Sequence, residues 1–172
     1  MFNKMKKLSY SILLAAGLLL LGSCNTYQPV FVLSLHEFAD PQIATKLSKN
    51  VQDPTRQFSH TIQNFPFIDS RSFLFGELYG PNEQGRYGLR IQVDRWHQAT
   101  MHQEAGANLG LVYAVVMDGM YVGYSHFNKT MRDTEILEID PLWNLRDAQM
   151  ILDSIPKNYK HFDKWHEPFF QP

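Results

Sequence analysis

Apolar positions along this chain keep three different rhythms, and each predicts a different element. Leu89, Ile91 and Val93 alternate with Arg90, Gln92 and Asp94, the two-residue period of a strand with one wet face. Leu111 to Met117 is an almost unbroken apolar run, Asp118-Gly119 supplies a tight turn, and Met120 to Phe127 returns, which predicts a hairpin. Val30-Phe31-Val32-Leu33-Ser34-Leu35 reads as a further strand, and Phe58 to Phe65 and Ser72 to Tyr79 as extended segments separated by Pro66 and Asp69-Ser70, with a loop over 80–85. Helical spacing occurs twice. Asp94 caps a helix through Trp96, Ala99, Met101 and Ala105 that stops near Gly110; a short strand, Glu135 to Ile139, precedes Asp140 as cap and Pro141 as first residue of a second helix. Leu142, Leu145, Ala148, Ile151, Leu152 and Ile155 form that helix's apolar stripe, and Pro156 marks its end. Residues 40–57 are the least patterned, with Asp40-Pro41 opening a short helix to Leu47 that Asp53-Pro54 closes. The expected architecture is α+β: one small domain, an antiparallel or mixed sheet with two main helices packed on one face.

Ahead of these elements lies an apolar run of another kind. Lys4, Lys6 and Lys7 precede Leu8 to Leu21, and Leu21-Gly22-Ser23-Cys24 places the only cysteine directly behind two small residues, the layout of a bacterial lipoprotein signal. A spanning helix is disfavoured, because fourteen residues at about 1.5 Å each reach roughly 21 Å against a hydrocarbon core of roughly 30 Å. A plain secretory signal normally ends in an Ala-x-Ala-like site, which is absent here. The expected organisation is a signal peptide over 1–23, a lipidated short tether over 24–29, the α+β domain over 30–156 and an aromatic-rich tail over 157–172. Cys24 would carry a diacylglyceryl thioether, with the new amino terminus acylated too, and two or more acyl chains hold stably in a membrane. Asn25 rather than Asp follows the cysteine, so the outer membrane, periplasmic side, is favoured over the inner membrane.

Charge and composition then narrow the function. Three of the sixteen basic residues and none of the seventeen acidic ones lie in the leader, so the chain from Cys24 carries thirteen against seventeen. An acidic surface makes nucleic acid an unfavoured partner. Stability has to come from packing, since no second cysteine exists for a disulfide. His97 and His102 lie five apart on the first predicted helix, about 140° off a common face, so no metal site is expected. Ser125, His126 and Asp133 lack the glycine frame of a nucleophile elbow, no glycine run forms a phosphate loop, and no cofactor is expected. Glu135 and Glu138 read as solvated positions. The tail's Tyr159, Phe162, Trp165, His166, Phe169 and Phe170, beside Lys157, Lys160 and Lys164, either folds back onto the domain, the favoured reading, or serves as an interfacial or partner-binding segment.

Three stretches carry a resemblance to a known family. Phe65-Pro66-Phe67-Ile68-Asp69 through Glu77-Leu78, Gly88-Leu89-Arg90-Ile91-Gln92-Val93-Asp94, and Asn108-Leu109-Gly110 with Leu111 to Gly119 resemble the head portion of the first periplasmic domain of the protein-export subunit SecD. The chain departs from it in lacking the family's transmembrane helices and its Ala-Pro after the turn, where Met120-Tyr121-Val122-Gly123-Tyr124 stands. The resemblance implies a head-like module that touches polypeptides or envelope partners, not an export motor by itself. The expected function is a non-enzymatic binding or scaffolding module on a lipid anchor, with Val115, Tyr121, Val122 and Tyr124 on the hairpin as the tentative binding surface. The alternative is an envelope hydrolase whose site is not recognisable from sequence.

Overall fold

Leu89, Ile91 and Val93 are all buried and Arg90 between them is exposed, as their alternation requires. In the computed structural model, which describes residues 27–40, 42, 46–107, 110–127 and 135–163, they belong to β6. The elements in order are β1 (Leu33–Glu37), β2 (Ser48–Gln52), β3 (Ser59–Gln63), β4 (Ile68–Asp69), β5 (Phe73–Tyr79), β6 (Tyr87–Val93), α1 (Arg95–Ala107), β7 (Val112–Met117), β8 (Met120–His126), β9 (Ile136–Trp143) and α2 (Leu145–Asp163). The fold is α+β, and its strands sort into three sheets, ordered β4-β1-β7-β8, β2-β3 and β5-β6-β9. Every pair is antiparallel.

One core joins the two larger sheets. Leu33, Leu35, Tyr113 and Val115 from the first meet Phe73, Leu89, Ile91, Leu137 and Ile139 from the other, with Met101 and Ala105 of α1 and Ala148, Ile151 and Ile155 of α2. A smaller core lies on the opposite face of the first sheet, where Ala114 and Val116 pack on Val51 and Ile62 of the β2-β3 hairpin. β7 is thus covered on both faces, which is why its sequence is a continuous apolar run rather than an alternating one. Between the cores, buried His36 ties β1 to β3: Nδ1 donates to the Gln63 carbonyl at 2.9 Å and Nε2 accepts from the Ser34 hydroxyl at 3.0 Å.

That histidine yields a pH prediction. Burial first, and then the charge of Lys49, hold its pKa below the ordinary value near 6.5. The unfolded chain therefore binds the proton more readily, so this contribution to stability is complete above about pH 6.5 and declines as pH falls through the lowered native pKa. Urea midpoints of the wild type should fall on acidification through this range more steeply than those of His36→Gln. Parallel curves would show that His36 is not the group responsible.

Two boundaries differ from the sequence expectation. Asp140-Pro141 does not open a helix: β9 continues through both to Trp143, and Asn144 caps α2 instead, its Oδ1 accepting the Asp147 N–H at 2.9 Å. Asp140 is already occupied, since its carboxylate accepts the His126 backbone N–H at 2.9 Å. Pro141 is tolerated because the ladder to β6 is irregular there, passing from Leu89↔Ile139 to Tyr87↔Trp143. Nor does Pro156 end the helix, which runs to Asp163, so residues 157–163 are the last turns of α2 and not a separate tail. Pro156 removes one helical hydrogen bond. Beyond it, fully buried Asn158 accepts from the Tyr27 hydroxyl at 2.8 Å and donates to the Val30 carbonyl at 2.8 Å, holding the extension in place. Strands β2 and β4 had no counterpart in the sequence reading. The short helix after Asp40, the tail from Lys164, Asp133 and Cys24 fall wholly or largely outside the described residues.

Candidate functional site: the hairpin edge and the surface clefts

The β7-β8 turn is set by two residues in the left-handed region, Asp118 at φ 49° and Gly119 at φ 82°, the geometry that matches the twist of a two-residue hairpin. Asp118 also anchors β1, because its carboxylate accepts the backbone N–H groups of Val32 at 2.8 Å and Phe31 at 3.2 Å. A Cβ on Gly119 meets nothing within 4 Å, so substitution there is resisted by backbone strain alone. Gly119→Val is expected to lower stability by about 1–2 kcal/mol. A melting temperature equal to that of the wild type would refute the strained turn.

The four residues expected to bind a partner do not form one surface. Val115 is 0% exposed and belongs to the main core, so it is not available for binding. Tyr121 and Val122 lie on opposite faces through the ordinary alternation of a strand, and Val122 is the extra residue of a bulge where the register shifts between Val116↔Tyr121 and Val115↔Gly123. Tyr121 packs on the smaller core and against the His60 ring at 4.0 Å between centroids, while Val122 packs on the main core. Tyr124, 52% exposed, stands over the edge beside His126.

The outer side of β8 is itself partly sealed. Ser125 Oγ accepts the Asp140 N–H at 2.9 Å, Asp140 also holds the His126 ring at 2.7 Å, and the Leu142 side chain lies against Gly123. These contacts also separate the imagined hydrolase residues. Ser125 is buried, and the partner of His126 is Asp140.

Other groups come together that spacing could not have joined. The buried Tyr113 ring sends its hydroxyl to Glu104 Oε1 at 2.5 Å, and burial, followed by this bond, pushes the phenol far above its usual range. Glu37 is raised by burial and by Glu104. On the open face of the β5-β6-β9 sheet, Arg90 contacts Glu138 at 3.1 Å and Glu77 at 3.7 Å and lies over the Tyr79 ring. Of the two histidines on α1, His97 is engaged with Asp94 at 2.9 Å, and among the described residues no group of three or more His, Cys, Asp or Glu side chains could hold a metal ion. Clefts open on the surface among the described residues. About 640 Å³ lies among Arg71, Asp94, Trp96, His97, Tyr159 and Asp163, about 300 Å³ around Leu47, Phe65 and Phe67, and about 400 Å³ between β5 and α2.

No protein-family model matches the chain, and no curated protein sequence matches it. Its fold does match solved structures of SecDF, described as a membrane component that enhances protein export: TM-score 0.52 at 13% identity, over 74% of this chain and 63% of that one. A second SecDF structure, in a super-membrane-facing form, gives 0.51 at 12% identity, over 74% of this chain and 19% of that one. The domain fold is SecD-like, and the chain spans less than two thirds of either SecDF chain. Among the described residues no helix is long and apolar enough to cross a membrane.

Proposed function

We propose that this chain is a lipid-anchored bacterial envelope protein whose SecD-like domain binds polypeptides or envelope partners without turning them over. The observation that carries the reading is a fold shared with a protein-export component, on a chain that carries Leu21-Gly22-Ser23-Cys24 behind a basic and apolar stretch. Cys24 is the lipidated residue, and the outer membrane, on its periplasmic side, is the destination. The anchor places the domain close to the bilayer, because Tyr27, three residues after Cys24, is already bonded to α2.

Cells fed an alkyne-tagged palmitate should label the wild type and leave Cys24→Ser unlabelled, with the variant moving from the membrane to the soluble fraction. Mass spectrometry of an unmodified Cys24 in the mature protein would overturn the anchor. Hydrolysis of an ester, peptide or glycan by the purified protein, abolished by one His or Ser substitution, would overturn the binding role in favour of an enzyme.

A further inference from the structure

β5 is the long strand whose outer edge the described residues leave open. It forms one border of its sheet, and the direction of its backbone groups follows from two bonds. The Val93 N–H goes to the Glu135 carbonyl, beside β9, and the Asp94 N–H to the Ser72 carbonyl, beside β5. Alternation then turns Gln92, Arg90 and Gly88 toward β5, so their partners Phe75, Glu77 and Tyr79 point their backbone inward. Gly76 and Leu78 therefore direct N–H and C=O outward, two residues and about 6.8 Å apart.

That edge forms one wall of the 400 Å³ groove. The other wall is a single stripe of α2, Gln149, Leu152, Asp153, Pro156 and Lys157, at helical spacing. Pro156 brings no N–H, so the Leu152 carbonyl lacks its usual i+4 donor beside the groove. Asp153 accepts from the Gln149 amide at 3.0 Å, and exposed Lys157 contributes a positive charge to the same wall.

Natural sheets blunt exposed edges with a lysine, a proline, a bulge or a covering segment. β8 has a bulge and is covered by Asp140 and Leu142, and β4 is two residues long. Among the described residues β5 has none of these from Phe75 onward, its irregularity being confined to Phe73/Phe75. Phe75, at its start, is 57% exposed.

We propose that the groove between β5 and α2 takes an extended polypeptide segment as an added strand, paired with Gly76 and Leu78, with an apolar side chain against Phe75, Leu152 and Pro156 and a carboxylate at Lys157. A row of donors and acceptors at strand spacing is matched by another main chain in the same conformation, which makes polypeptide the chemistry recognised. This rests on the polypeptide-binding reading above and places it between β5 and α2 instead of on the β7-β8 hairpin.

The test uses the lipidated full chain in detergent micelles and a defined probe, fluorescein-labelled α-lactalbumin kept unfolded by reduction and carboxymethylation. Anisotropy should report binding that Phe75→Lys and Lys157→Glu each weaken by about tenfold and Tyr124→Lys leaves unchanged. Both groove residues are exposed, so the variants should keep the wild-type circular dichroism spectrum. Amide exchange at Gly76 and Leu78 should slow on binding, with residues 120–126 unaffected. Protection at 120–126 instead, or weakening by Tyr124→Lys alone, would overturn the groove and leave polypeptide binding standing. A wild type that does not bind the probe would overturn both.

Discussion

Gly88→Ala should destabilise the protein by about 3 kcal/mol, the upper end for forcing atoms into a packed site. A Cβ at this position lies 2.5 Å from the Tyr79 ring and 2.6 Å from the Ile139 carbonyl oxygen. The first contact exists because Tyr79, on β5, crosses β6 at Gly88 to donate its hydroxyl to Ile139 of β9 at 3.0 Å. The ring cannot swing away without losing that bond and its position under Arg90. Burial, with Asp140 and Glu138 nearby, pushes the Tyr79 phenol up to about 12, so the bond persists across the physiological range. Moving the ring still leaves the backbone oxygen in place, so Tyr79→Ala should rescue Gly88→Ala only in part. Thermal melts of the single and double variants measure this, and a single variant melting with the wild type would show that Tyr79 does not cross the sheet.

The second large effect is expected at Asn158. Asn158→Ala strips partners from the Val30 carbonyl and the Tyr27 hydroxyl and leaves a void in a fully buried position, for a loss of about 2–3 kcal/mol. Because these bonds fasten the start of the described chain to the helix beyond Pro156, the damage should be uneven. Amide exchange should quicken most in residues 157–163 and 27–32. Uniform loss of protection across the domain would mean that the extension of α2 does not depend on this tie.

The fold class and the best strands were legible because their signals are local. Period-two alternation in β6, the apolar run of β7, the Asp118-Gly119 turn and the Asp94 cap, which accepts the His97 N–H at 2.8 Å, each depend on a handful of neighbouring residues. Of the three stretches resembling SecD, one lies on β6, one leads through β7 to the turn and the first spans β4 and β5, and the fold likeness extends over 74% of the chain. Asp140-Pro141 and Pro156 misled for the complementary reason. Cap and proline preferences are worth about 1–3 kcal/mol, and in both places tertiary bonds outweigh them: the His126 backbone takes the Asp140 carboxylate, and Asn158 secures the helix past its proline.

The candidate surface was the least legible part. Whether Val115 faces a partner or the core depends on which sheet face α1 and α2 cover, and a strand pattern buried on both sides does not encode it. Whether β8 or β5 keeps a free edge depends on β9, which approaches β8 from another sheet through Ser125, Asp140 and Leu142. The groove needs Gly76 and Leu152, some seventy-six positions apart, to come within contact. The sequence by itself determined the α+β class and the positions of the strongest strands, since those follow from short-range spacing and the burial of apolar side chains. Only the tertiary structure decided which edges are sealed and which lie open, because backbone hydrogen-bonding capacity is the same at every non-proline residue, and what remains unused is set by which strands come to lie beside one another.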